Sequence, residues 1–189
     1  MSGMVEKADK IAEAAHGRID QRRKWGLENV PYIIHPRRVA AKVKTLIGAT
    51  EVDEAAALLH DVIEDVAIKL SLVKEYEREI RDACGDEVLA LAWELTSPSE
   101  GLEWEGKSRA EKRVADWAHL SHVSDRAKRL KMVDRWDNLG DYKYAPRKYM
   151  VQKYLPESRH LLGLCRHVDE EMGKELEARI EEAEAFFKK

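Results

Sequence analysis

Four residues combine types and surroundings that suit a divalent metal ion: His35, His60, Asp61 and Asp134. His60-Asp61 follows directly on the most apolar run of the chain, Ala55-Ala56-Ala57-Leu58-Leu59, and His35 closes the run Tyr32-Ile33-Ile34. Asp134 ends the run Leu130-Lys131-Met132-Val133. A buried carboxylate beside a buried imidazole is costly unless something pairs with both. Two nitrogens and two oxygens suit a divalent transition metal that keeps positions open for water and substrate. They suit a closed structural zinc site poorly, because such sites usually carry thiolates. No single piece is diagnostic, since a His-Asp pair alone is common. The order His, His-Asp, Asp carries the specificity, with Glu64-Asp65 one turn after the dipeptide.

Glu64 and Asp65 are the candidate proton-handling groups. Helical spacing predicts His60 over Glu64 and Asp61 over Asp65, two layers on one side of a helix. A carboxylate within hydrogen-bond reach of an attacking water can take its proton. Asn138 falls one turn after Asp134 on the same face. Arg22, Arg23 and Lys24 precede His35 and can offer cations to phosphate groups, the arginines as bidentate forks. Lys107, Arg109, Arg113 and Lys143 are further candidates for phosphate contact, each equally readable as part of a solvated face.

These residues need helices to position them. Val5, Ala8, Ile11, Ala12, Ala15 and Ile19 recur at helical spacing, which predicts a first helix over 4–18. A basic loop follows to Pro31, with Val30–Ile34 as an extended lead-in. Pro36 suits the first turn of a second helix with Val39, Val43, Leu46 and Ile47 inward, ended by Gly48. Asp53 is the expected cap of a third helix, apolar nearly all round and therefore central. Further helices are expected at 71–84, 86–95, 107–119 and 124–139, with a loop over 96–106. Pro146 opens a short helix and Pro156 interrupts or restarts it. A last helix is expected over 157–187, ending in a solvated tail rich in Glu, Lys and Arg.

The 189 residues predict one domain, core 4–155 plus the C-terminal helix. Hydrophobic residues at 44% exclude disorder, and charged residues at 37% exclude an integral membrane protein. With 10 Gly and 5 Pro, the abundance of Ala, Leu, Glu, Lys and Arg points to an all-α fold. A net charge of −3 gives no reason to expect nucleic acid or an anionic membrane as partner. Cys84 and Cys165 make no disulfide framework, which fits a reducing cytoplasm.

On Pro31-Tyr32-Ile33-Ile34-His35-Pro36, His60-Asp61-Val62-Ile63-Glu64-Asp65 and Lys131–Leu139, with Arg22-Arg23-Lys24, the chain resembles the HD-domain phosphohydrolases. Within them it resembles the RelA/SpoT hydrolase type, especially the small stand-alone Mesh-type alarmone hydrolases. The resemblance implies a single helical bundle around one metal ion per chain, with manganese as the expected ion and His35, His60, Asp61 and Asp134 as ligands. It implies that Glu64 and Asp65 position and deprotonate water. Arg23 and Lys24 take the phosphate role, with Arg22 beside them. Asn138 and Tyr154 contact the nucleotide, and Lys107 lies in a loop that matches only loosely. The implied reaction removes the 3′-pyrophosphate of guanosine tetra- or pentaphosphate. A chain of this length is expected to degrade alarmone and not to make it. The alternative is an HD phosphatase acting on a nucleoside monophosphate or NADPH. Gly140, where the family commonly has arginine, and the long 25–30 insertion set this chain apart. A homodimer stays open.

Overall fold

The computed structural model describes residues 3–24 and 30–188; the insertion at 25–29 lies outside them. The fold is an all-α bundle. Its helices are α1 (Gly3–Arg18), α2 (Ile34–Val43), α3 (Glu51–Leu59), α4 (Val73–Cys84), α5 (Asp86–Leu95), α6 (Arg109–His122), α7 (Asp125–Gly140), α8 (Arg147–Tyr149), α9 (Leu155–Cys165) and α10 (Glu170–Lys188). Among the described residues the only strand-like pairing is one isolated bridge, Arg22 to Pro31. α3 packs on α1, α2 and α5, as its apolar surface requires.

Several elements differ from expectation for local reasons. Thr50, not Asp53, is the N-cap of α3. Asp53 sits at the third helical position, where its carboxylate accepts from the Thr50 backbone and hydroxyl, both at 2.8 Å, in a capping box. α2 stops at Val43, and Ile47 is 93% exposed instead of inward.

After Leu59 the chain does not continue as α-helix. It turns at His60-Asp61 and runs as a π-helix from Val62 to Ala67, with Ile68 N–H donating to Ile63 C=O at 3.0 Å. The wider π winding breaks the expected stacking of His60 over Glu64. A second π segment, Met150–Tyr154, leads into α9.

The expected long last helix is two helices, separated by a 3₁₀ turn at Arg166–Val168. Its end is not a solvated tail. Met172, Leu176, Ile180, Ala183 and Phe187 form a buried stripe at steps of four and three, and α10 packs on α7 and α9. The Glu, Lys and Arg residues between them face outward. We expect Leu176→Ala to cost about 2–5 kcal/mol, measured by denaturant unfolding, because the side chain is fully buried. A solvated tail would lose almost nothing.

Candidate metal centre

His35 enters from the first turn of α2, His60 and Asp61 from the turn after α3, and Asp134 from the middle of α7. His60 Nε2 lies 2.9 Å from Asp61 Oδ2 and 3.6 Å from Asp134 Oδ1. His35 Nε2 lies 3.1 Å from Asp134 Oδ1 and 3.7 Å from Asp61 Oδ2. One ligating atom each from His35, His60 and Asp61 falls within 4.8 Å of the others.

The far side of each ring fixes its tautomer. His35 Nδ1 donates to Asp137 Oδ2 at 2.7 Å, and His60 Nδ1 donates to the Ala57 carbonyl at 2.7 Å. Both acceptors can only accept, so each neutral ring carries its proton on Nδ1 and aims an Nε2 lone pair inward. Both Nε2 atoms are buried without a directed hydrogen bond.

The electrostatics point the same way. Burial pushes Asp61 and Asp134 up, but the imidazoles beside them pull both below the ordinary carboxylate range. Burial pushes His35 and His60 down, but the carboxylates pull both up. Two carboxylates held ionised thus draw positive charge to one buried point, and a cation there would take the place of the protons they favour on the two Nε2 atoms. Separations near 3 Å match adjacent ligands of an octahedral ion with bonds of about 2.1 Å. The donor set fits a divalent cation.

The surroundings brace this cluster. Tyr32 donates its hydroxyl to Asp61 Oδ2 at 2.6 Å, and Asn138 Nδ2 donates to Asp134 Oδ1 at 2.6 Å. Arg38 pairs with Asp137 at 2.8 Å. Tyr32, Asp137 and Arg38 were not singled out from the sequence. Tyr32 and Asp137 each lie three residues from a cluster member, and that spacing is the signal that could have found them.

Glu64 and Asp65 diverge instead of stacking. Glu64 Oε2 accepts the Ser97 backbone N–H at 2.7 Å. Burial pushes its carboxyl up to about 7, although Lys131 opposes the shift. Asp65 accepts Gln21 Nε2 at 2.7 Å and Lys69 Nζ at 2.6 Å.

Two cavities flank the cluster, and Tyr149 borders both. The larger, about 780 Å³, is lined by Asp134, Ser97 and the cations Arg109, Lys112, Arg113, Lys131, Arg135, Lys148 and Lys153, which outnumber its acids. The smaller, about 410 Å³, is lined by Asp65, Asn138, Tyr154 and the cations Arg22, Arg23, Lys24 and Lys69. The structure therefore gathers five of the six residues that the resemblance placed at or near the substrate around one cavity. The sixth, Lys107, is exposed in the turn before α6 and lines neither. Arg23 is 7% exposed at its side chain and tied to Asn138 at 2.9 Å and Asp141 at 2.8 Å. Arg22 pairs with Asp20, and Lys143 lies over the Tyr142 ring. The Arg135 guanidinium stacks on Tyr154 at 4.4 Å.

Comparison with known proteins gives the family. The HD-domain family profile matches residues 8–159. The chain belongs to the HD-domain family. This HD-domain chain is 34% identical over 139 residues to the guanosine-3′,5′-bis(diphosphate) 3′-pyrophosphohydrolase of Aquifex aeolicus, a match covering 71% of the chain and only 17% of that longer protein. It is 31% identical over 144 residues to the pyrophosphohydrolase MESH1 of Xenopus tropicalis, covering 74% of the chain and 73% of the relative. Mouse MESH1 is 28% identical over 184 residues, covering 95% and 93%. The solved structure of a metazoan SpoT orthologue that hydrolyses ppGpp superposes with a TM-score of 0.75 at 22% identity over 96% of each chain, which supports the fold. No described helix is long and apolar enough to cross a membrane.

Proposed function

We propose that this HD-domain chain hydrolyses the 3′-pyrophosphate of guanosine tetra- or pentaphosphate, giving GDP or GTP and pyrophosphate. The observation that carries this reading is the buried cation-demanding cluster, set between two cavities that both carry excess positive charge. A nucleotide phosphorylated at both ends needs two cationic surfaces, whereas a monophosphate needs one. The named activity of the MESH1 and Aquifex relatives is the same.

In this reading His35, His60, Asp61 and Asp134 hold one divalent ion, with manganese the proposed choice for a nitrogen-and-oxygen donor set. When bound, the ion screens phosphoryl charge and acidifies water. The chain's own residues do the rest. Glu64, poised near neutral pH, takes a proton from the water that attacks the phosphorus on the ribose 3′ oxygen. That phosphorus–oxygen bond breaks, and the 3′ oxygen leaves to become a hydroxyl. Asp65 orients the water from the other side. Arg23 and Lys24, with Arg22 at the rim, neutralise the pyrophosphate. Asn138 keeps Asp134 aimed inward, and Tyr154 offers an aromatic surface to the nucleotide. Lys131, missed in the sequence, faces Glu64 and Asp134 from the larger cavity, where both carboxylates hold its ammonium charged against burial. The proposed setting is the cytoplasm, with a small nucleotide as partner.

The test is a product assay. Protein with Mn²⁺ is offered ppGpp, GMP, dAMP and NADPH, and released species are separated by anion exchange. We expect GDP and pyrophosphate from ppGpp. Orthophosphate from a monophosphate or NADPH, with ppGpp untouched, would keep the metal centre but replace the substrate.

A further inference from the structure

His16 and Gln21 sit behind Asp65 and have no place in the chemistry so far. His16 ends the buried face of α1 and is 2% exposed. Asp20, with φ of 46°, turns the chain back beneath it. Gln21 is then fixed through its backbone: its N–H donates to the His16 carbonyl and its carbonyl accepts from Tyr32 N–H, both at 3.0 Å. Its side chain bridges two partners. Nε2 donates to Asp65 Oδ2 at 2.7 Å, and Oε1 meets His16 Nδ1 at 2.7 Å.

This chain has one consistent direction. Ionised Asp65 only accepts, so Gln21 must present its NH₂ there and its oxygen to His16. His16 must therefore carry its proton on Nδ1. The remaining atom, Nε2, is buried with no partner. A buried polar atom left open is costly, and an aliphatic residue at this apolar position would avoid that cost. What imidazole offers here is the Nδ1 donor. Without it, the Gln21 oxygen loses its buried partner and the side chain is free to swing away from the Asp65 carboxylate. Lys69 fills one site on Oδ1 and Gln21 one on Oδ2, which leaves Asp65 further lone pairs for a water.

We infer that His16 and Gln21 are a positioning pair for Asp65: His16 anchors the Gln21 side chain through its oxygen, and Gln21 fixes the carboxylate at the smaller cavity. The inference rests on the role proposed for Asp65 above, but the pair can be tested without substrate. Nitrogen-15 NMR should show His16 as the Nδ1–H tautomer, and the Asp65 carboxyl carbon-13 shift should move in His16→Leu and return in His16→Asn. Asparagine places an amide donor where Nδ1 stood; leucine places none. In turnover, His16→Leu should lower kcat about 10–100-fold, with KM and metal affinity within about threefold. His16→Asn should recover to within about threefold of the parent. An Nδ1-bare His16, an unmoved Asp65 shift, or equal losses in the two variants would overturn the pair. If His16→Leu does not fold, Gln21→Met takes its place, with the Asp65 shift and the His16 tautomer as readouts. A parent protein inactive on ppGpp would sink the substrate reading alone, since the NMR measurements still decide the pair.

Discussion

Glu64→Gln is expected to lower kcat on ppGpp by about 10²–10⁴-fold while metal binding and KM stay near the parent values. Glutamine keeps the shape and can still meet the Ser97 N–H through its oxygen. It cannot accept a proton from water, and positioned general bases typically contribute this factor, about 3–5 kcal/mol of barrier. The parent should show a matching pH profile. As the proposed base Glu64 acts only when ionised, and burial raises its carboxyl to about 7, so kcat should climb with pH and level off above that point. The acid limb should vanish in the variant. Near-parent turnover in Glu64→Gln would remove this residue from the mechanism.

The same shift sets a sign for stability. The carboxyl is raised from its ordinary value near 4.5, so the folded state holds a proton that the unfolded chain has released. Stability is therefore lost as pH rises from about 4.5 to about 7, and the loss is complete above. Glutamine never carries that buried charge. The variant should unfold at a higher temperature than the parent at pH 8 and near the same temperature at pH 4.5. A residue that costs stability where it works is what a proton acceptor held in a dry site should look like.

The centre was legible because its residues are expensive. His60-Asp61 in an apolar run, His35 at the end of another and Asp134 in a third each violate the rule that charge stays outside, and the structure brings the three runs to one point. The bundle was legible through periodicity. What escaped had no such signature. α10 hides its stripe among Glu, Lys and Arg, so composition suggested a tail where Leu176 and Ile180 are in the core. The π-helix inserts its extra winding without a Gly or Pro to announce it, and this sends Glu64 toward Ser97 and Asp65 toward Gln21. His16 sits beside the expected apolar face of α1, where a polar residue reads as exposed; only its burial reveals it.

Asp61→Ala is expected to abolish both metal binding and turnover. In the proposed site Asp61 is not interchangeable with the other three residues. Its Oδ2 lies 2.9 Å from His60 Nε2 and 3.7 Å from His35 Nε2, and it takes the Tyr32 hydroxyl as well. Alanine leaves two buried imidazole lone pairs and a phenol facing a hole, with Asp134 as the one carboxylate left in the set. Half the negative charge that a divalent ion would meet is gone, and each imidazole is less costly left neutral and empty. Thermal unfolding with and without Mn²⁺ separates this from misfolding. Ligand that binds only the folded state stabilises it by mass action, about 2.7 kcal/mol at one hundred times Kd. The parent should therefore gain several degrees on adding Mn²⁺ and lose them on chelation. The variant should melt cooperatively at a temperature that neither treatment moves. A variant that still binds one equivalent of metal and turns over would break the ligand assignment at its centre, because the other three residues were placed by their distances to this carboxylate and its two imidazole neighbours.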